Sequence, residues 1–227
     1  MKKYLILCFM ITAILFGVNQ PSEATILTYY FNLEFSGAVA PDGPSPWLTA
    51  TVNDEATIGD VILTLSASGL SGKEHIKNWF FNIDTSLNPV SVIAGGYTTA
   101  GTYNSVNSIL AMTDTYKADG DNGKYDFKID FDNNDFTSGK YFSITFDLIT
   151  LTAEDFAFGN VNSTKGGPFA MASHVGSTGD DDEGSGWLAA PLDESTTPPP
   201  VPEPATMLLL GSGLVGLAGF GRKKLKK

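Results

Sequence analysis

Apolar residues recur at every second position over several stretches of this chain, a period that fits β-strands and does not fit helices. Leu27, Tyr29, Phe31, Leu33 and Phe35 form the first such series, and several of the positions between them are polar. Successive side chains of a strand point to opposite faces, so this stretch can bury one face and expose the other. It therefore predicts a half-buried strand.

Two later stretches repeat this pattern and predict a β-hairpin. Residues 125–131 carry apolar side chains at the odd positions, and residues 142–148 carry them at the even positions. The intervening residues 132–139 read Asp-Asn-Asn-Asp-Phe-Thr-Ser-Gly, a composition typical of turns. We therefore expect the two stretches to be neighbouring antiparallel strands.

Further strands are predicted where short apolar or β-branched runs are bounded by turn-forming residues. They are residues 47–52, 61–66, 76–83, 90–93, 108–112 and 169–174. No stretch of residues 25–197 has a sustained helical period with capping residues. About eight or nine short strands predict an all-β domain, an antiparallel β-sandwich of jelly-roll-like form, although a closed barrel would give the same pattern.

The first 24 residues predict a signal peptide. Lys2 and Lys3 precede an apolar run over residues 4–18, and Ser22 and Ala24 supply the small residues required before a cleavage site. The run is short for a membrane-spanning helix, which usually needs about 20 apolar residues. We expect export by the Sec translocon and cleavage by signal peptidase after Ala24. An uncleaved anchor is the alternative.

The predicted domain, residues 25–197, is strongly acidic. Between Thr25 and Pro200 the sequence has 7 lysines, no arginine and 23 acidic residues, a net charge of about −16. Nucleic acids require a basic surface, so this charge argues against a nucleic-acid partner. The only cysteine, Cys8, lies in the predicted signal peptide, which excludes a disulfide within the domain.

The C-terminal segment, residues 198–227, has three parts. Prolines dominate residues 198–204 and favour an extended spacer. Residues 205–220 are uncharged and apolar, and they predict a membrane helix of about 24 Å, which only marginally crosses a hydrocarbon core of about 30 Å. Residues 221–227 are basic and are expected to stay on the cytoplasmic side, so the domain would face outward.

Pro202, Glu203 and Pro204, followed by a Gly-rich apolar helix and a terminal Arg/Lys cluster, resemble the PEP-CTERM sorting signal of Gram-negative bacteria. The resemblance implies recognition by an exosortase, a membrane-embedded cysteine protease, with transient membrane anchoring and then a location at the cell surface or outside the cell. Many proteins with this signal are associated with exopolysaccharide, biofilm or floc material. An ordinary anchor that is never cut is the alternative.

A second resemblance lies within the domain. Four segments are similar to the closing part of many PEP-CTERM proteins, and this similarity brings no assigned activity. They are Leu151 to Phe156, Gly166 to Phe169, His174-Val175 and Gly184 to Leu188.

Asp119, Asp121 and Asp126 form the candidate metal site. Their oxygens lie along a predicted turn, as Ca²⁺ prefers, although the stretch departs from an EF-hand loop at its Gly and Glu positions. Asp and Asn also stabilise turns through their own backbone, which is the alternative explanation. No other cofactor is expected. The acidic run at residues 180–183 predicts an extended, solvated segment where a cation or a basic partner could dock.

No catalytic residue is assigned. His75 and His174 are too few and too separate in sequence to define a zinc site, and no nucleophile motif accompanies them. Trp47, in a loop rich in Pro and Gly, is the candidate for stacking on a sugar ring, whereas Trp79 is expected in the core. Trp187 is a further aromatic that could stack on sugars.

The sequence therefore favours a non-enzymatic surface or matrix protein that is exported, sorted by exosortase and associated with extracellular polysaccharide. Two alternatives stay open. One is a carbohydrate-binding module that uses an exposed aromatic and Ca²⁺. The other is a secreted hydrolase that uses paired acidic residues.

Overall fold

The computed structural model describes residues 25–54, 59–103, 105–119, 122–148 and 150–192. The predicted signal peptide at residues 1–24 and the predicted sorting segment at residues 198–227 lie outside these ranges, as does the 205–220 helix. None of the helices within the described ranges is both long enough and apolar enough to cross a membrane.

Eleven strands in the described residues form two antiparallel sheets. The five-stranded sheet has the order β1-β3-β4-β9-β6, and its strands are β1 (Ile26–Phe31), β3 (Leu48–Asn53), β4 (Asp60–Ser66), β6 (Tyr97–Gly101) and β9 (Tyr141–Asp147). The six-stranded sheet has the order β2-β11-β10-β5-β8-β7, and its strands are β2 (Leu33–Glu34), β5 (His75–Phe81), β7 (Val106–Ala118), β8 (Asn122–Phe131), β10 (Phe169–Thr178) and β11 (Gly184–Pro191).

One apolar core fills the space between the two sheets. Alternate side chains of β1, β3, β4 and β9 are buried in it, and those of β5, β8, β10 and β11 meet them from the other side. The ring centroids of Phe127 and Phe146 lie 5.8 Å apart across this interface, and those of Phe131 and Phe142 lie 5.2 Å apart. The predicted all-β, antiparallel architecture is confirmed, and because both sheets are open the domain is a sandwich and not a barrel. The jelly-roll-like detail stays a prediction.

The predicted hairpin between residues 125–131 and 142–148 is wrong. β8 pairs with β5 and β7, whereas β9 pairs with β4 and β6 in the opposite sheet. Alternation of apolar residues specifies which face of a strand is buried. The same alternation arises whether two strands are neighbours in one sheet or face each other from opposite sheets. The sequence pattern alone therefore does not identify the strand partner.

Residues 132–140, here called the crossing segment, connect β8 to β9 and contact both sheets. The carbonyl of Phe136 accepts a hydrogen bond from Ile76 N at 2.9 Å, next to the six-stranded sheet. The carbonyl of Lys140 accepts one from Ala67 N, also at 2.9 Å, next to the five-stranded sheet. The Phe136 ring is buried and stacks on Tyr103 at 4.7 Å. This segment therefore joins the two sheets at one end of the core.

The first predicted strand divides into two. Leu27, Tyr29 and Phe31 are buried as predicted, but β1 ends at Phe31 and the chain then enters the other sheet as β2. Leu33 is 41% exposed, and Phe35 packs on Phe169 at 5.1 Å, outside the main core. The expectation that Leu33 is buried is wrong because the change of sheet alters which side of the chain faces the core.

Residues 90–93 are helical and not extended. They belong to α1 (Pro89–Gly95), where Pro89 occupies the first turn and the Asn88 side chain accepts a hydrogen bond from Val90 N at 3.0 Å. Asn before Pro at the start of a helix is a capping arrangement. The β-branched residues of this stretch misled the prediction. A 3₁₀ turn, Ala153–Phe156, also follows the strands of the five-stranded sheet.

The other predicted strands correspond to β3, β4, β5, β7 and β10, and both β7 and β10 extend further than predicted. β6 and β11 were not predicted. All but one residue of β6 are exposed, so it lacks the alternation that would identify it.

Candidate functional site

The predicted calcium ligands have other partners where the structure describes them. Asp126 is buried, and its carboxylate accepts hydrogen bonds from Asp114 N at 2.8 Å and Ile83 N at 3.2 Å. Burial raises the pKa of Asp126, and these two hydrogen bonds partly offset that rise. Asp119 forms an ion pair with Lys165. Asp121 lies outside the described residues, so the calcium site stays a prediction.

Within the described ranges, no group of three His, Cys, Asp or Glu side chains is arranged to hold a metal ion. Several carboxylates instead cap backbone groups. Glu34 accepts hydrogen bonds from Ser36 N, Gly37 N and Trp187 N, and Glu74 accepts them from Asp42 N and Ser71 N. Asp54 bonds Thr25 N and Ala153 N in the same way. These acidic residues have structural roles that compete with metal binding or proton transfer.

The acidic run at residues 180–183 forms the turn between β10 and β11. Asp182 N donates to the Gly179 carbonyl at 2.9 Å, and Asp182 has a φ of 58°. The prediction of an extended segment is wrong, although three of the four residues are exposed as expected. Lys73 pairs with Asp182 at 2.8 Å, which relieves part of the repulsion.

Trp47 is only partly exposed. Its indole Nε1 donates to the Gly43 carbonyl at 2.9 Å, and its ring packs against the main core. The loop before it lies directly on Gly69, where an added Cβ would be 2.3 Å from the Pro46 carbonyl oxygen. Trp47 is therefore held against the domain, which limits the ring area that a sugar could contact. Trp79 is fully buried, as predicted.

The outer side of the six-stranded sheet carries a line of partly exposed side chains that crosses five strands. Its members occupy paired positions on β11, β10, β5, β8 and β7, and we call them the polar row: Trp187, His174, Asn78, Asp130 and Ser108. The Trp187 and His174 rings stack 4.6 Å apart with planes inclined by 9°. The sequence pattern pointed to Trp187 and to His174 separately but did not bring them together.

Asp130 is fully engaged within the polar row. It accepts hydrogen bonds from the Asn78 side chain and from Ser108 Oγ, the latter at 2.8 Å, and it pairs with Lys128 at 2.7 Å. No second carboxylate belongs to the row as defined by these pairings. The arrangement does not match the two facing carboxylates that glycoside hydrolysis requires.

His174 has an unusual titration. Burial, followed by the nearby positive charge of Lys77 and by His75, lowers the pKa of His174 to about 4. Lys77 reaches this position because β5 has a bulge there, with Lys77 and Asn78 together opposing His174. The imidazole is therefore neutral at physiological pH. The two histidines, distant in sequence, lie on neighbouring strands.

The outer side of the five-stranded sheet has a different chemistry. Three rows of paired residues cross the sheet, most of them carry a hydroxyl group, and none of them carries a charge. We call this surface the hydroxyl face, and its rows are Tyr30, Thr49, Ser66 and Tyr141; Thr28, Thr51, Thr64, Ser143 and Ala100; and Ile26, Asn53, Ile62, Thr145 and Thr98.

The alternation of the strands directs these residues away from the core. In β1, β3, β4 and β9 the positions between them are buried. Thr64 and Ser143 bond each other at 2.8 Å in the central row, and Tyr141 is 41% exposed at the end of its row. The next row contains Asp60 opposite Asp147, and it places negative charge at the boundary of the hydroxyl face. The sequence pattern does not reveal this surface, because pairing across as many as five strands is needed to assemble it.

Comparison with protein families identifies the C-terminal segment. Residues 200–223 match the sequence model of the PEP-CTERM protein-sorting motif. The match includes Pro202, Glu203 and Pro204, and the predicted resemblance is confirmed. Neither a curated protein nor a solved structure matches the chain.

Proposed function

We propose that this chain, which carries the PEP-CTERM protein-sorting motif, is a non-enzymatic matrix protein. The motif implies export and exosortase-dependent sorting to the cell surface or extracellular space of a Gram-negative bacterium. In this proposal the mature protein associates with exopolysaccharide in the biofilm. The single observation that carries the proposal is the motif at residues 200–223.

The described domain supports a binding role over a catalytic one. Four carboxylates each accept hydrogen bonds from at least two backbone N–H groups: those of Glu34, Asp54, Glu74 and Asp126. Asp130 is occupied by three side chains. A hydrolase that works through paired carboxylates needs two that are free to exchange protons. The acidic charge of the domain also favours solubility outside the cell.

The sorting step is tested in the native host by replacing Pro202, Glu203 and Pro204 with alanine. We expect the variant chain to keep its tail and to accumulate in the membrane fraction with a larger mature mass. Replacing Pro198 and Pro199 is the matched control, because it also removes two prolines but lies outside the matched residues 200–223. Unchanged mass and location of the motif variant would refute the proposal.

A second candidate function is a carbohydrate-binding module, with or without Ca²⁺. The stacked Trp187 and His174 on the polar row favour it, since an aromatic beside neutral hydrogen-bonding groups suits a sugar ring. Binding of the purified chain to a glycan array, with Ca²⁺ and with a chelator, tests both parts. Binding that needs Ca²⁺ and is lost in an Asp119→Asn, Asp121→Asn double variant would support the calcium site. An array without any bound glycan would refute this candidate.

A further inference from the structure

We propose that the hydroxyl face is a docking surface for an uncharged polysaccharide. This inference rests on the proposed matrix function and adds to it the surface of contact and the charge class of the polymer. Its first support is electrostatic. The domain carries a net charge of about −16, yet three consecutive rows on the outer, partly exposed face of the sheet lack any charged side chain.

The absence of charged side chains from these rows favours a neutral polymer over an anionic one. An anionic polymer would approach an acidic protein without any lysine or arginine in the contact surface to offset the repulsion. A neutral polymer meets no such barrier. Thr51 and Thr64 occupy the centre of this uncharged face, on the interior strands β3 and β4.

The side chains also match the surface of a sugar ring. A threonine offers a methyl group and a hydroxyl group, and a sugar ring offers apolar C–H groups and hydroxyls. Tyr30 and Tyr141 close the two ends of one row with Thr49 and Ser66 between them. Their rings supply flat apolar surface with a polar tip.

The dimensions argue against a second copy of the chain as the occupant. Five strands give a width of about 24 Å, and three rows spaced two residues apart give a depth of about 20 Å, so the face covers roughly 480 Å². Each partner in a stable protein complex buries about 800 Å². A narrow, extended polymer that contacts several neighbouring rows fits this area better than a protein does.

The test measures retention of the purified full-length chain on a panel of neutral polysaccharides (cellulose, starch, chitin and mannan), with alginate as the anionic comparison. We expect binding to at least one neutral polymer, little dependence on salt, and no binding to alginate. Thr64→Lys places a charge at the centre of the face and should weaken binding at least tenfold. Thr113→Lys is the matched control, since Thr113 is an exposed residue of β7 in the other sheet.

Tyr141→Ala provides a second variant that should fold, because the side chain is already 41% exposed, and it should weaken binding severalfold. The proposal is overturned if no neutral polymer retains the chain, if alginate alone does, or if Thr64→Lys and Thr113→Lys behave alike. It is also overturned if Thr64→Lys converts a dimer into a monomer without affecting retention. If the chain is sorted correctly and any of these results is obtained, the docking role of the hydroxyl face is refuted. The proposed matrix function is not.

Discussion

The indole of Trp187 lies flat against the imidazole of His174, with ring centroids 4.6 Å apart. The two residues face each other on neighbouring strands, and the stack keeps His174 partly out of water. Burial is the main reason that the pKa of His174 falls to about 4, and Lys77 contributes next.

This depressed pKa predicts a loss of stability in mild acid. The unfolded chain protonates His174 near pH 6.5, whereas the folded domain does so only near pH 4, so the free energy of unfolding falls as the pH drops through this window. Because the imidazole is partly exposed, we expect a loss of about 1–2 kcal/mol. Denaturant unfolding at several pH values gives the free energy of unfolding as a function of pH. Between pH 6.5 and 4 this free energy should fall more steeply for the native chain than for His174→Gln. An equal pH dependence for the two chains would contradict the lowered pKa of His174.

A second prediction concerns the contact between the sheets. Phe127 stacks on Phe81 at 4.7 Å and meets Phe146 of the opposite sheet. Phe127→Ala should lower the free energy of unfolding by about 3–5 kcal/mol. Leu110→Ala, at a position that is 40% exposed, should change it by less than about 0.5 kcal/mol. Similar losses for the two variants would show that Phe127 does not lie in a common core.

A third prediction concerns Glu74, which is only 2% exposed and bonds Asp42 N at 2.6 Å and Ser71 N at 2.7 Å. Glu74→Ala would leave two backbone donors without partners, and we expect it to cost about 2–4 kcal/mol. Asp180→Ala, in the exposed β10–β11 turn, is the control and should leave thermal unfolding nearly unchanged. If Glu74→Ala unfolds at the same temperature as the native chain, the Glu74 carboxylate does not hold the loops that contain Asp42 and Ser71 together.

A fourth prediction compares two glycines. In Gly69→Ala the new Cβ would meet backbone atoms of the loop before Trp47, with the Pro46 oxygen at 2.3 Å, so we expect a cost of about 1–3 kcal/mol. Trp47 should also move, which tryptophan fluorescence can detect. In Gly95→Ala the nearest atom is a methyl carbon of Leu148 at 3.5 Å, so the variant should be neutral or slightly more stable. A neutral Gly69→Ala would mean that the loop is not packed on this glycine.

The sequence predicted the fold class and most strands because alternation reports burial directly. It failed for β8 and β9 because strands in facing sheets and strands in one hairpin bury the same side chains. It failed at residues 90–93 because β-branched residues outweighed the Asn88 cap and Pro89 in the prediction. Local patterns therefore indicated burial well and partners poorly.

The same distinction applies to the candidate surfaces. The sorting motif is contiguous in sequence, so its residues and their order are enough to recognise it. Trp47 was singled out by its loop, but its bond to Gly43 depends on how that loop folds. The hydroxyl face and the polar row each collect residues from four or more strands, and their members become neighbours only through strand register.

The order of the strands also has a consequence for a chain that emerges from a ribosome or a membrane channel with its N-terminus first. The five-stranded sheet is complete once Asp147 is free, but β10, which lies between β5 and β11 in the other sheet, begins only at Phe169. Until β10 and β11 have emerged, part of the apolar side of the first sheet has no cover. Folding of this domain can therefore finish only when the residues just before the sorting segment have been delivered, which couples completion of the fold to the last stage of delivery.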